Sequence, residues 1–184
     1  LPLHPMNDFY AFVGNGMEVL VRKSMGEKGS DDILYTKVRS VFDSYYNSHC
    51  NDNTVAYSGM PELLKELDSR NIKTAVLTNK AQQYVGGILE KCFPEHKFSL
   101  FYGQRQGVER KPDPQGFKLL LEELGVSEED CVYVGDSEVD VLTAKNAGVS
   151  MVAVSWGFRS VNELKDSGAE ILVDSPEEIL NFVE

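Results

Sequence analysis

The chain has 184 residues, of which 42% are hydrophobic and 26% are charged, so it can bury a core, and global disorder is excluded. Its 18 basic and 29 acidic side chains give a formal net charge of −11, which disfavours binding to nucleic acid phosphates or anionic lipid. No apolar stretch of the sequence is long enough to span a bilayer, so we expect neither a nucleic acid nor a membrane partner.

Residues 1–56 have a helical pattern and no strand-like run. Apolar residues recur at helical spacing in two stripes, Phe9 to Val21 and Ile33 to Tyr45. The first stripe is interrupted by Gly14-Asn15-Gly16, and Ser30-Asp31-Asp32 is expected to cap the helix that carries the second. The polar stretch from Asn47 to Thr54 is predicted to be a linker to the rest of the chain.

Residues 57–184 alternate between strand-like and helical segments. The predicted strands are Lys73–Thr78, Phe98–Tyr102, Cys131–Val134, Met151–Ser155 and Ile171–Val173. The predicted helices are Pro61–Arg70, Ala81–Lys91, Pro114–Leu124, Val139–Ala147, Val161–Asp166 and a last one from Pro176, with Gly125 and Gly148 closing two of them. This alternation predicts an α/β fold, with a mainly parallel, Rossmann-like sheet covered by helices on both faces.

The three cysteines are far apart and form no CxxC pair. Cys50, Cys92 and Cys131 are therefore predicted to be buried small side chains, and not a disulfide set or a zinc site. This cysteine usage fits a reducing cytoplasm.

Three loops at the predicted carboxyl ends of strands, where such sheets bind ligands, carry polar residues. The first is Thr78-Asn79-Lys80, at the start of a predicted helix. A hydroxyl beside backbone N–H groups at a helix N-terminus can bind an anion. The alternative is that these residues are an ordinary helix N-cap.

The second loop is Arg110-Lys111-Pro112-Asp113-Pro114, which its two prolines hold stiff. Pro114 suits the first turn of the next helix, and Asp113 suits its N-cap. A rigid loop can direct the compact charge of Lys111 at a phosphate. The alternative is a solvated basic turn before a helix.

The third loop, Gly135 to Asp140, follows an apolar strand directly. Asp136 lies at the strand tip and Asp140 one helical turn later, so the two carboxylates can converge on Mg²⁺. The alternative is that Asp136 or Ser137 caps the helix and Asp140 favours its dipole. Because two carboxylates at one sheet edge repel each other, the sequence favours a metal site.

Together the three loops resemble motifs of the haloacid dehalogenase-like hydrolase superfamily. Thr78-Asn79, Lys111 and Gly135-Asp136-Ser137 followed by Asp140 are similar to its second, third and fourth motifs, in the same order and spacing over residues 57–155. Residues 1–56 resemble the α-helical cap domain of the phosphoglycolate phosphatase-like branch, in which a loop like Gly14-Asn15-Gly16 touches substrate. Residues 57–184 then resemble the core domain.

The resemblance implies a Mg²⁺-dependent phosphatase whose Asp nucleophile forms an aspartyl-phosphate that water cleaves. In this scheme Thr78 and the backbone of Asn79 bind the phosphate, and Lys111 neutralises charge during transfer. Asp136 is a metal ligand, and Asp140 supports the metal directly or through water. The implied partner is a small phosphorylated metabolite, phosphoglycolate first among them, and the implied assembly is a monomer or a weak dimer.

The sequence departs from the family at its first motif, because the 184 residues contain no Asp-x-Asp-Gly-Thr. The candidates Asp8, Asp31, Asp32, Asp43 and Asp52 do not follow an apolar strand. In the family the first strand lies between those resembling Lys73–Thr78 and Cys131–Val134, and unpaired backbone groups cost about 1–3 kcal/mol each.

Three arrangements would relieve this cost. A segment of about 25–35 residues precedes Leu1, the two strands close up, or another chain supplies the strand. We favour the first, in which the nucleophile lies upstream and the 184 residues alone are inactive.

Other functions remain open at this stage. A pseudoenzyme or interaction module would lack the nucleophile altogether, and a sugar phosphate mutase would share the core. A haloacid dehalogenase needs no metal, so the pair of Asp136 and Asp140 argues against it. Arg22, Lys23 and Arg159 could face a substrate carboxylate, although solvated surface charges are the simpler interpretation.

Overall fold

The computed structural model describes residues 1–14 and 16–183. Its first part is helical, as predicted, with α1 (Met6–Phe12), α2 (Met17–Ser24), a 3₁₀ helix (Gly26–Ser30) and α3 (Asp32–His49). The Asp31 side chain accepts a hydrogen bond from the Leu34 N–H at 3.0 Å and caps α3, which confirms one of the three predicted capping residues. The division at residue 56 into a cap and a core stays a prediction.

Helix α3 continues through Asn47 to His49, so the linker predicted from residue 47 starts too early. The reason is a tertiary contact that the polar sequence does not reveal. The Tyr84 hydroxyl donates to Asn47 Oδ1, and Lys80 Nζ donates to the Tyr46 hydroxyl at 2.5 Å. These bonds fix the last turns of α3 against the end of the strand Ala75–Ala81, which carries Lys80, and the start of the helix Gln82–Cys92, which carries Tyr84.

The remaining elements follow the predicted alternation. The strands are β1 (Ala75–Ala81), β2 (Leu100–Gln104), β3 (Val132–Gly135), β4 (Ser150–Val154) and β5 (Leu172–Val173). The helices are α4 (Met60–Ser69), α5 (Gln82–Cys92), α6 (Gln115–Leu124), α7 (Glu138–Ala147) and α8 (Val161–Asp166), with 3₁₀ helices at Glu128–Asp130 and Pro176–Phe182. Gly125 and Gly148 end α6 and α7 at φ of 63° and 75°, the left-handed conformation that glycine adopts without a steric cost.

The strands are all parallel to their neighbours, but they form two sheets and not one. β1 pairs with β2, and β4 lies between β3 and β5. Within the described part of the chain, β1 and β3 are not paired with each other. The arrangement in which these two strands close up is therefore wrong, and each keeps one edge outside any ladder.

Helices cover both faces of the three-stranded sheet, as the alternation predicts. Val152 and Val154 of β4 pack against Leu63, Leu64 and Leu67 of α4. Ala153, which points to the opposite face, packs against Val141 of α7 and Leu164 of α8. Full burial of each such aliphatic side chain contributes about 1.5–3 kcal/mol, so β4 is anchored on both sides.

Helix α6 connects the two sheets. Its apolar side chains pack in one cluster with Tyr102 of β2 and Tyr133 of β3. Those side chains are Phe117, Leu120 and Leu121. The sheets are thus held together by side-chain packing, and the carboxyl ends of β1 and β3 meet near one place.

Among the described helices, none combines the length and the apolar character needed to cross a bilayer.

Candidate functional site

Lys111 lies between the two sheets and binds both. Its ammonium donates to the backbone carbonyl of Leu77 in β1 at 3.2 Å and to the hydroxyl of Tyr133 in β3 at 3.2 Å. It also forms an ion pair with Asp140 Oδ1 at 2.6 Å, with only 13% and 8% of the two side chains exposed. The predicted rigid loop therefore does direct Lys111 inward, and the solvated-turn alternative is wrong for this residue.

The loop around Lys111 is fixed on the carboxyl-terminal side of this residue. Asp113 Oδ1 accepts from the Gln115 N–H at 2.9 Å, but the N-cap of α6 is Pro114 and the helix begins at Gln115, so the predictions of Asp113 as N-cap and of Pro114 in the first turn are wrong by one residue. Asn146 of α7 donates to the Pro112 carbonyl at 2.9 Å. These bonds reduce the conformational freedom of the loop and hold the Lys111 side chain in place.

Asp140 is almost completely engaged by donors. Its Oδ1 accepts from Lys111 and Tyr133, and its Oδ2 accepts from the Ser137 hydroxyl at 2.5 Å and the Asp136 N–H at 3.3 Å. Burial alone raises the pKa of Asp140, but the Lys111 charge and these hydrogen bonds outweigh it, so the pKa lies below its ordinary value. Asp140 is therefore held as a carboxylate and is the buried counterion of Lys111.

Ser137 is the N-cap of α7, as one of the alternatives predicted. Its hydroxyl accepts from the Asp140 N–H at 3.3 Å while it donates to the Asp140 carboxylate. In this one turn, Ser137 caps α7 and Asp140 forms the ion pair with Lys111.

Tyr133 is a site residue that sequence reasoning missed. Its hydroxyl accepts from Lys111 and donates to Asp140 Oδ1 at 3.0 Å. Burial first, and then the Asp140 carboxylate, raise the pKa of Tyr133 well above its ordinary value, so the hydroxyl keeps its proton. The signal in the sequence is the hydroxyl group of Tyr133, which is the polar end of one side chain in the otherwise apolar strand before Gly135-Asp136.

Asp136 lies directly after β3 and faces the loop that follows β4. Its Oδ2 accepts from the Phe158 N–H at 2.9 Å. A Cβ placed on Gly157 would lie 2.1 Å from Asp136 Cβ, so only glycine fits there. Burial raises the pKa of Asp136, the Phe158 bond opposes this, and the neighbouring Asp140 carboxylate adds to the rise. A nearby cation would favour the charged form of Asp136.

The described residues offer two carboxylates to a metal ion, Asp136 and Asp140, and they contain no group of three or more acidic, histidine or cysteine side chains placed to bind one. Mg²⁺ commonly uses one or two carboxylates and completes its six ligands with water and substrate phosphate. Burial disfavours the charged form of Asp136, and a bound cation would offset that cost, so Asp136 fits the role of a metal ligand. The oxygens of Asp140 already accept from four donors. Asp140 is therefore better suited to hold Lys111 in place than to bind the metal directly.

Thr78 and Asn79 lie in strand β1, which continues to Ala81, and not at a helix N-terminus. The ladder with β2 is irregular between Leu77 and Ala81. There the Thr78 hydroxyl accepts from the Lys80 N–H at 3.1 Å, a local bond that competes with regular strand geometry. The predicted helix N-terminus at this loop is therefore wrong, both for the N-cap alternative and for an anion site built on helix N–H groups, and Thr78 lies within β1.

Asn79 connects three parts of the site. Its Oδ1 accepts from the Lys111 N–H at 2.9 Å, and its Nδ2 donates to the Lys111 carbonyl and to the Gly14 carbonyl, each at 3.1 Å. Gly14 belongs to the predicted cap loop, which is therefore in contact with the site. Asn15 lies outside the described residues.

The other described glycine of that loop, Gly16, lies against Arg110 of the loop that carries Lys111. A Cβ on Gly16 would be 2.7 Å from Arg110 Nη1, and φ at Gly16 is +86°. Both the close approach and the positive φ require glycine at this position.

The candidate carboxylate-binding cations are all engaged. Arg22 pairs with Glu18 and Asp32 at 2.9 Å each, and Lys23 donates to the Ala11 carbonyl at 3.2 Å. These contacts are within residues 1–56 and agree with the surface-charge interpretation.

Arg159 instead lies beside the site. It forms an ion pair with Glu138 at 2.7 Å and donates to the Tyr10 carbonyl at 3.3 Å.

The five aspartates considered as nucleophiles each have a partner within residues 1–56. These partners are His4 for Asp8, the Leu34 N–H for Asp31, Arg22 for Asp32, Arg39 for Asp43 and His49 for Asp52. None of these interactions joins an aspartate to Lys111 or Asp136.

Comparison with known proteins identifies the same relationship that the motifs suggested. A family model described as haloacid dehalogenase-like hydrolase matches residues 3–154. Phosphoglycolate phosphatases from Pseudomonas savastanoi pv. phaseolicola and Vibrio parahaemolyticus are 31% and 30% identical, each over 94% of this chain and over 65% and 78% of their own lengths. The crystal structure of a predicted phosphoglycolate phosphatase from Haemophilus somnus has a TM-score of 0.89 at 26% identity, covering 99% of this chain and 84% of that one.

The chain is shorter than these relatives. It spans only 61–66% of the lengths of three Pseudomonas proteins that it matches, of which two are named phosphoglycolate phosphatase and one probable phosphoglycolate phosphatase.

Proposed function

Because the chain belongs to the haloacid dehalogenase-like hydrolase family, we propose that it is the larger part of a Mg²⁺-dependent phosphatase of small phosphate monoesters, with phosphoglycolate as the first candidate substrate. The observation that carries this proposal is the position of Lys111. A largely buried ammonium is held by Leu77, Tyr133 and Asp140 beside the Asp136 carboxylate. Phosphoryl transfer depends on such fixed positive charge.

Each predicted site residue has a role in this scheme. The Thr78 hydroxyl and the Asn79 backbone N–H bind phosphate oxygens, and the Lys111 ammonium neutralises the charge that develops during transfer. Asp140 orients the Lys111 ammonium through their ion pair. It supports the metal directly or through water, and its engaged oxygens favour the second of these.

Mg²⁺ bound at Asp136 would polarise the phosphoryl oxygens and offset the repulsion between the phosphate and the carboxylates. Asp136 needs no rearrangement for this role, because its carboxylate is already positioned by the Phe158 N–H and by the close approach of Gly157.

The nucleophile is proposed to come from a segment upstream of Leu1. Two facts support this. Within the described residues β1 and β3 each keep an edge outside any ladder and share Lys111 between them, and the Pseudomonas relatives are longer than this chain. A strand between β1 and β3 would pair with both edges and end beside Lys111.

An aspartate carboxylate at the end of that strand would attack phosphorus while the ester P–O bond breaks, and the leaving oxygen would take a proton from the second aspartate of the upstream Asp-x-Asp motif and depart as the alcohol. Water then hydrolyses the aspartyl-phosphate to inorganic phosphate and the free carboxylate.

Substrate selection is assigned to the loop of Gly14, Asn15 and Gly16, which would contact a small phosphorylated metabolite. The proposed assembly is a monomer or a weak dimer, and the proposed location is the cytoplasm. The support for the loop assignment is the bond from Asn79 to the Gly14 carbonyl.

The test is release of inorganic phosphate by the full-length gene product from phosphoglycolate and a panel of sugar and organic acid phosphates, with Mg²⁺ or with EDTA. We expect Mg²⁺-dependent turnover, and a fall of about 10²–10³-fold in kcat for Lys111→Met and Asp136→Asn. Lys118→Met and Asp130→Asn change exposed residues of the same type and should leave turnover unchanged.

Three outcomes would contradict the proposal. A full-length protein without phosphate release on the panel would indicate a pseudoenzyme or interaction module. Turnover that appears only with a bisphosphate activator would indicate a sugar phosphate mutase. Equal turnover by the full-length protein and by the 184 residues alone would refute an upstream nucleophile.

A further inference from the structure

The Asn79 amide uses both of its N–H donors and its oxygen to bind partners in two separate parts of the molecule. Its oxygen accepts from the Lys111 N–H, and its two N–H groups donate to the Lys111 carbonyl and the Gly14 carbonyl. A primary amide has two donors and one carbonyl oxygen, so one small side chain holds both the backbone of Lys111 and the connection between α1 and α2.

The Lys111 end of this bridge controls the position of a charge. Asn79 fixes both backbone groups of Lys111, and the side chain of the same residue reaches Leu77, Tyr133 and Asp140. A rotation of the Lys111 backbone would therefore move the ammonium relative to Asp136.

The other end of the bridge, the Gly14 carbonyl, belongs to the helical segment and moves with it. Gly14 follows α1, whose Tyr10 carbonyl accepts from Arg159, a residue paired with Glu138 at the start of α7. Asn79 thus binds a backbone carbonyl of the connection between α1 and α2, and Arg159 binds a backbone carbonyl of α1. Of these two side chains, Asn79 also binds Lys111.

We infer that Asn79 is a positioning residue that couples contact of the helical segment to the orientation of Lys111. When the Gly14 carbonyl withdraws, the amide loses one of its three partners and holds the Lys111 backbone less firmly. This inference rests on the proposed function for its catalytic consequence, and it assigns to the Asn79 side chain a task separate from phosphate binding by the Asn79 backbone.

The test compares Asn79→Asp with Asn146→Ala in the full-length protein. Asn79→Asp keeps an acceptor for the Lys111 N–H and loses both donors. Asn146→Ala removes the bond to the Pro112 carbonyl, and so loosens the Lys111 loop without touching the helical segment. Asn79→Ala supplies the same comparison if Asn79→Asp does not fold.

Hydrogen exchange measures the coupling without any substrate. We expect Asn79→Asp to speed amide exchange both in residues 10–14 and in residues 110–113, whereas Asn146→Ala speeds it in residues 110–113 alone. Faster exchange in only one of the two segments of Asn79→Asp would overturn the inference.

Steady-state kinetics measures the consequence. A displaced catalytic charge should lower kcat of Asn79→Asp by about 10- to 100-fold, with less change in KM. An unchanged kcat alongside faster exchange would overturn the positioning role. A wild-type protein without phosphatase activity would refute the proposed function, and the exchange measurement would still decide the coupling.

Discussion

Gly157 lies directly against Asp136: a Cβ on Gly157 would be 2.1 Å from Asp136 Cβ and 2.2 Å from Asp136 Oδ2. No side chain can occupy that space without moving the carboxylate. We expect Gly157→Ala to weaken Mg²⁺ binding and to lower phosphate release by about tenfold or more. Isothermal titration with Mg²⁺ and turnover at saturating Mg²⁺ would measure the two effects.

A matched glycine provides the control. A Cβ on Gly87, inside α5, would come no closer than 4.0 Å to its nearest neighbour, Asn51 Nδ2. Gly87→Ala should therefore be neutral or stabilise the protein by about 0.5–1 kcal/mol. Equal Mg²⁺ affinity of Gly157→Ala and wild type would show that Asp136 is not the ligand.

Replacing Asp140 by Asn should be strongly destabilising. The change leaves the largely buried Lys111 charge without its counterion, and breaking a buried pair in this way costs about 3–5 kcal/mol. Urea unfolding of metal-free protein would measure the loss. The half-buried pair of Arg39 and Asp43 is the control, because Asp43→Asn should cost about 1 kcal/mol or less.

The contribution of Asp140 should also depend on pH. Because the pKa of Asp140 is lower in the folded state than in the unfolded chain, its stabilisation is complete above the unfolded value of about 3.9. It is lost as pH falls through the lower folded pKa. The difference in unfolding free energy between wild type and Asp140→Asn, measured without metal, should therefore shrink below about pH 4. A difference that grows with acidity would contradict this assignment.

Tyr133→Phe removes the hydroxyl that joins Lys111 and Asp140 and keeps the ring. Because that hydroxyl donates to a buried carboxylate, we expect a loss of about 1.5–3 kcal/mol in the free energy of unfolding. Tyr102→Phe is the matched control, since its hydroxyl donates to the exposed Glu123 near the carboxyl end of α6. Equal losses for the two variants would mean that the Lys111 contact adds nothing.

The sequence predicted the core elements well because apolar periodicity and glycine ends define them locally. It predicted that Thr78, Lys111, Asp136 and Asp140 would meet, because parallel strands bring their carboxyl ends to one edge. It did not predict that the Asp140 carboxylate would turn to Lys111, since a side-chain direction depends on partners that are distant along the chain.

Two other features had no local signal. The last turns of α3 are fixed by Tyr84 and Lys80, and the Asn79 amide is directed by Lys111 and Gly14. Each depends on residues more than 30 positions away in the sequence. For this reason the polar residues from Asn47 predict a linker where α3 continues, and the motif predicts a role for the backbone of Asn79 but none for its side chain. Tyr133 was missed because a tyrosine in a buried strand is ordinarily part of the core.

The packing of α6 has a thermodynamic consequence. Phe117, Leu120 and Leu121 contact Tyr102 in one sheet and Tyr133 in the other, within a single cluster. Neither sheet can lose its order without exposing apolar surface of the other. Within the described residues the two sheets share no hydrogen-bond ladder, yet this packing should make them melt in one cooperative transition, and weakening α6 should lower the midpoint of both together.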